Sequence, residues 1–132
     1  MMDFIHTGNF TEKGKKLYSP PAFEYSTFND VYLIKINLKA ANIARVKEFK
    51  EFIFKLIETK DPKISIDLTS VKVIDSTFLG LLVVSNKEIH KRNGKFNLFG
   101  LNPSVSFTFG LTKLDKILSV QPSKERAINE LN

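Results

Sequence analysis

Three polar side chains, Asp75-Ser76-Thr77, separate a β-branched run at Val71–Ile74 from an apolar run at Leu79–Val84. The first run favours a strand and the second a helix, so the polar triplet falls at a helix start. Such a start exposes unpaired backbone N–H groups and the positive end of the helix dipole, which suits an anion such as a phosphate. A hydroxyl placed there can accept a phosphoryl group, and the product carries a charge of about −1.5 to −2. Ser76 is the first candidate acceptor, Thr77 the second, and Asp75 their acidic neighbour. On the triplet alone plain capping is the favoured use of all three residues, since Asp, Ser and Thr are ordinary N-cap residues.

Other chemistries find no residues to carry them. The chain has no Cys, which excludes thiol catalysis, disulfides and cysteine metal sites and fits a reducing cytoplasm. Its six glycines are scattered rather than gathered into a phosphate loop, and no His-Glu-x-x-His or Gly-x-Ser-x-Gly pattern occurs. The only histidines are His6 and His90, the latter beside Lys91 and Arg92. Asp75 is too close in sequence to serve Ser76 as a hydrolase base. The residues therefore imply no catalytic site, no metal and no cofactor, and the expectation is a protein that is not an enzyme.

The elements that must hold the triplet follow from periodicity. Ala22–Phe28 and Val31–Leu38 read as strands joined by an Asn29-Asp30 turn, with Ile34, Ile36 and Leu38 on one face. Asn42 can cap a helix over Ile43–Thr59, whose apolar face is Ile43, Val46, Phe49, Phe52, Ile53, Leu56 and Ile57. Ile64–Leu68 is a third strand, leading through Thr69-Ser70 to Val71–Ile74. The triplet's helix runs from Asp75 to about Arg92, where Asn93-Gly94 stops it. A strand over Lys95–Leu101 and a helix opened by Asn102-Pro103 follow, the helix breaking near Gly110. A short strand over Ile117–Val120 and a last helix capped at Pro122-Ser123 close the chain. The order is β-β-α-β-α-β-α-β-α. It implies an α/β fold opening with a β-hairpin, a mostly parallel mixed sheet of about five strands, and four flanking helices.

The triplet's helix is apolar on more than one side. Leu79, Leu82 and Val83 can face the sheet, which leaves Phe78, Leu81 and Ser85 either covered by a neighbouring helix or forming an exposed patch beside Ser76. An exposed patch makes Phe78 and Leu81 partner contacts.

The run from Ile66 to Leu82, Ile66-Asp67-Leu68-Thr69-Ser70-Val71-x-Val73-Ile74-Asp75-Ser76-Thr77-x-Leu79-Gly80-x-Leu82, resembles the signature of the STAS domain of bacterial anti-sigma factor antagonists. Asn102-Pro103-x-Val105-x-x-x-Phe109, Leu114-x-Lys116-Ile117 and Ala127-Ile128 extend the resemblance, which covers roughly 22–131. It implies a STAS domain over 22–132; the polar arm over 1–21, closed off by Pro20-Pro21 and read as partly ordered or added as an edge strand, is an addition the family does not assign. It also implies a binding module whose unphosphorylated form holds an anti-sigma factor/serine protein kinase and frees a sigma factor, with a PP2C-type phosphatase reversing phosphorylation. Carried over, Ser76 is the phosphoacceptor, Thr77 the second candidate and Asp75 their neighbour; with Phe78 and Leu81 from the patch beside them and Asn42 as the nearest polar stand-in for a family carboxylate, Asp75, Ser76, Thr77, Phe78, Leu81 and Asn42 are the expected partner contacts. Two departures stand out. The family usually has Gly where this chain has Phe78, and a Gly-x-Leu-Asp turn where this chain has Leu38-Lys39-Ala40-Ala41-Asn42. STAS domains also serve as non-switching subunits of sensory and lipid-transport assemblies, and there the hydroxyls are only caps or contacts.

At 132 residues and 42% hydrophobic, the chain suits one globular domain, with twelve Phe and no Trp in its apolar set. No signal-peptide pattern opens it, and no apolar run approaches the ~18–20 residues of a membrane span. A cytoplasmic monomer or weak homodimer without membrane insertion is expected. The net charge of +6 partly clusters at Lys87, Lys91, Arg92 and Lys95. With no interleaved aromatics to stack bases, this cluster reads as the solvated C-terminal end of a helix, not a nucleic-acid site.

Overall fold

The alternation of Ile34/Ile36, Ile64/Ile66 and Phe96/Leu98 sends one face of a sheet inward, and all six side chains are buried. The computed structural model describes residues 5–6 and 20–132. Its strands are β1 (Ile5–His6), β2 (Phe23–Phe28), β3 (Val31–Ile36), β4 (Ala40–Ala41), β5 (Lys63–Asp67), β6 (Val73–Ile74), β7 (Lys95–Phe99) and β8 (Val120–Gln121). Its α-helices are α1 (Val46–Ile57), α2 (Ser76–Lys91), α3 (Pro103–Leu111) and α4 (Lys124–Leu131). The main sheet runs β1-β2-β3-β5-β7-β8. β1, β2 and β3 pair antiparallel, whereas β3, β5, β7 and β8 are parallel neighbours. The expected arm at 1–21 lies largely outside the described residues; within it, Ile5–His6 pair with Ser26 and Tyr25.

The inward face packs on α1, α2 and α3. Phe49, Ile53 and Ile57 of α1, Phe78, Leu79, Leu82 and Ile89 of α2, and Val105 and Phe109 of α3 join one core. Alternate strand residues point the other way, where the Asn97 amide donates to the Ala127 carbonyl of α4 at 2.9 Å. Val31, Ile128 and Leu131 form a smaller apolar cluster there.

Local chemistry sets most boundaries. Asn29 and Asp30 both adopt positive φ (52° and 67°), as a two-residue hairpin turn of the mirror-image type requires. Asn93, at φ 61°, takes the left-handed position that ends α2. Gly94 is needed for a different reason, because a Cβ there would lie 2.2 Å from the Pro62 carbonyl. The Ser123 hydroxyl accepts from the Arg126 amide and caps α4.

Three expectations need adjusting. The first helix opens as a 3-10 turn over Ile43–Arg45, so Ile43 falls out of phase with the apolar face and is 69% exposed. The last strand is Val120–Gln121 rather than Ile117–Val120, because Leu114–Lys116 forms a second 3-10 turn after left-handed Lys113 and leaves Ile117 outside. Val71–Ile74 supplies no strand to the main sheet; only Val73–Ile74 is extended, and it pairs in parallel with Ala40–Ala41.

Candidate functional site

The Asp75-Ser76-Thr77 junction is held by a small parallel bridge between β4 and β6, in register Ala40 with Val73 and Ala41 with Ile74. The Lys39 carbonyl accepts from the amides of Lys72 (2.7 Å) and Val73 (3.0 Å), and the Ala41 carbonyl accepts from the Asp75 amide (3.0 Å). From the other side, Asn102 donates its amide to the carbonyls of Thr69 and Val71, and the Ser104 hydroxyl donates to the Lys72 carbonyl. Segments distant in sequence thereby fix the direction in which the chain enters α2.

Asp75 is the N-cap of α2, and both its carboxylate oxygens are engaged. Oδ1 accepts from the Phe78 amide at 2.9 Å, and Oδ2 accepts from the Ile43 amide at 2.9 Å. One side chain thus ties the start of α2 to the segment that opens α1. Asn42 caps that opening turn by accepting from the Ala44 amide at 3.1 Å. With Asp75 doing the capping, Ser76 and Thr77 are left as the first two helical residues. Both are exposed, and neither hydroxyl hydrogen-bonds within the described residues. Asp75, Ser76, Thr77 and Asn42 are therefore brought together at one surface.

Phe78 and Leu81 do not lie on that surface, which corrects their assignment as exposed partner contacts. Phe78 is fully buried and Leu81 is 6% exposed. The Phe78 ring stacks on Phe49 of α1, with centroids 5.0 Å apart and planes at 24°. The neighbouring helix covers this side of α2, and the third residue of the helix is spent on the core. Ser85 is buried beside it and donates to the Leu81 carbonyl at 2.8 Å. The apolar side chains exposed next to the junction are instead Ile43 (69%) and Val73 (63%). Sequence reasoning missed both. Ile43 fits a helical apolar face on paper, and the β-branched Val73 reads as buried strand. The one available signal was Asn42, whose cap sets a turn before the helix proper.

Lys87, Lys91, Arg92 and Lys95 are exposed around the far end of α2. Lys91 and Arg92 approach Glu88 at 3.5 and 3.9 Å. Sixteen helical residues place that end ~24 Å from Ser76. His90 is exposed there, its Nδ1 2.8 Å from the Asn86 carbonyl. Among the described residues no group of three or more His, Asp or Glu is placed to hold a metal ion, and no helix is long and apolar enough to cross a membrane.

Sequence and structure comparisons agree with this architecture. A protein of Thermotoga maritima, provisionally named an anti-sigma factor antagonist, is 33% identical over 110 residues, or 83% of this chain and 96% of its own length. The crystal structure of a protein from that organism, given the same provisional name, superposes with a TM-score of 0.76 at 32% identity, covering 83% of this chain and 93% of that one. The anti-sigma-B factor antagonist of Listeria monocytogenes is 38% identical over 56 residues, 42% of this chain and 49% of its own. The Bacillus cell fate determinant SpoIIAA, solved in its phosphorylated form, shares the fold at 18% identity with a TM-score of 0.62, covering 84% of this chain and all of that one. The STAS domain profile matches residues 28–127, and with it the chain belongs to the STAS domain family.

Proposed function

We propose that this chain is an anti-sigma factor antagonist that binds an anti-sigma factor/serine protein kinase while Ser76 is unphosphorylated, and that phosphorylation of Ser76 ends the binding. The observation that carries this reading is the Ser76 hydroxyl, exposed and without a hydrogen bond among the described residues, at the first position of a sixteen-residue helix whose cap is already provided by Asp75. A phosphate there meets the positive end of the helix dipole, so the fold tolerates it while the surface charge changes by about −1.5 to −2. Thr77 is the second candidate acceptor. The names of the relatives support the antagonist role, and a PP2C-type phosphatase would reset the switch. The protein acts as a cytoplasmic binding module, not as an enzyme.

The test is to incubate the protein with its cognate kinase and ATP, digest it and map the phosphate by mass spectrometry. One phosphate at Ser76, absent in Ser76→Ala, is the expected result. Phosphate found only elsewhere overturns the assignment, and its complete absence with a kinase that binds favours a non-switching subunit. Ser76→Asp should weaken kinase binding without lowering the melting temperature.

A further inference from the structure

The backbone bridge that positions Ser76 also gathers a surface of definite chemistry. Ile43 and Val73 are large apolar side chains held mostly in solvent, at 69% and 63% exposure. They flank the Asp75 clamp directly, Ile43 through its amide and Val73 through β6. Lys39 and Lys72 are exposed immediately before the two strands of the same bridge, where the Lys72 amide donates to the Lys39 carbonyl. Neither ammonium pairs with a carboxylate among the described residues. The carboxylate at the bridge itself, Asp75, is occupied by two backbone amides. An apolar centre edged by unpaired cations has the composition of a protein-binding patch that expects negative charge opposite it.

Gly80 adds an independent observation. It lies one turn beyond Ser76 on the same side of α2 and is exposed. Glycine weakens a helix interior relative to alanine. Here a Cβ would meet nothing within 4 Å, and the residue does not adopt positive φ. Nothing in the fold requires glycine at this position, and its missing side chain leaves room for a partner backbone to lie close against the helix.

We propose that Ile43 and Val73, edged by Lys39 and Lys72 and continued by Gly80, form the docking surface for an acidic face of the anti-sigma factor/serine kinase. This rests on the antagonist reading above and identifies the partner's chemistry. The unmodified surface attracts the acidic face. A phosphate on Ser76 places dianionic charge in the middle of the contact and opposes the same face. The apolar centre sets a protein partner apart from nucleic acid, whose backbone offers it nothing to bury.

The test uses the full chain and the purified cognate kinase, titrated by calorimetry at several salt concentrations. Wild-type affinity should fall steeply with salt, and Lys39→Glu with Lys72→Glu should weaken binding about tenfold at low salt and flatten the dependence. Lys60→Glu with Lys95→Glu, the same charge change at the opposite end of the strands, should alter affinity less than about twofold. Gly80→Ala should weaken binding while raising the melting temperature, which separates docking from folding. Unchanged affinity in the Lys39/Lys72 pair, or an equal loss in the control pair, overturns the proposal. Tighter binding to a duplex oligonucleotide or to anionic phospholipid vesicles than to the kinase also overturns it. Phosphorylated and unphosphorylated chains that bind equally, with the lysine dependence intact, refute the switch but keep the surface. No binding of wild type to the kinase removes both.

Discussion

Replacing Asp75 by alanine should loosen two helix starts at once, and the size of the effect can be worked from two hydrogen bonds. Loss of the cap to the Phe78 amide costs about 1 kcal/mol. Loss of the second bond, from the Ile43 amide, costs about 1 kcal/mol more. That amide is exposed, so water replaces the carboxylate and no larger desolvation cost is added. The sum is about 2 kcal/mol. An unfolding entropy of about 2.1 cal/mol/K per residue gives roughly 0.28 kcal/mol/K for 132 residues. Asp75→Ala should therefore lower Tm by about 7 °C in a calorimetric scan. Asp75→Asn keeps one acceptor for Phe78 but turns an NH2 group toward the Ile43 amide, so it should lose about half as much. Melting of Asp75→Ala within 1–2 °C of wild type, with the assay resolving about 0.5 °C, would refute the double clamp. Asparagine as costly as alanine would show that the two bonds are not separable in this way.

Two further outcomes follow from burial. Phe78→Ala removes a fully buried ring stacked on Phe49 and should cost about 3–5 kcal/mol in urea unfolding. Ile43→Ala, at a mostly exposed position, should stay within about 0.5 kcal/mol; similar losses for the two would contradict the division between core and contact surface. Burial first, and the neighbouring Tyr32 second, raise the Tyr25 phenol above the ordinary tyrosine range. The folded chain then holds that proton when the unfolded chain has released it, so this contribution to stability is full below the unfolded tyrosine pKa and fades as pH rises through the folded one. Alkaline difference spectra of wild type and Tyr25→Phe should show one late-ionising phenol in the former alone, and a wild-type chain whose tyrosines all ionise in the ordinary range would refute the raised value.

Much of the scaffold is written in short-range chemistry. Asn29-Asp30, Asn93-Gly94 and Pro122-Ser123 end or begin elements by the backbone conformations and caps they favour, so each is readable without knowing what lies across the sheet. Asp75 is readable as a cap for the same reason, since its contact with Phe78 spans three residues. The inward strand faces also follow from alternation, because a pleated strand fixes which side chains share a side.

The surroundings of Ser76 are not local. Which side of α2 is covered depends on where α1 lies, and the Phe49–Phe78 stack that decides it joins residues 29 positions apart. The β4–β6 bridge has two residues per strand, too few for any periodic signal, and exists because carbonyls of Lys39 and Ala41 meet amides of Lys72, Val73 and Asp75. That meeting turns Ile43 and Val73 outward and buries Phe78. The sequence by itself determined the order of the helices and the longer strands, the alternating core and the hydroxyls at a helix start, since propensity, capping and periodicity act over a few residues. Only the tertiary structure decided which side chains stand beside Ser76 in solvent, because burial depends on packing between segments that the chain brings together from far apart.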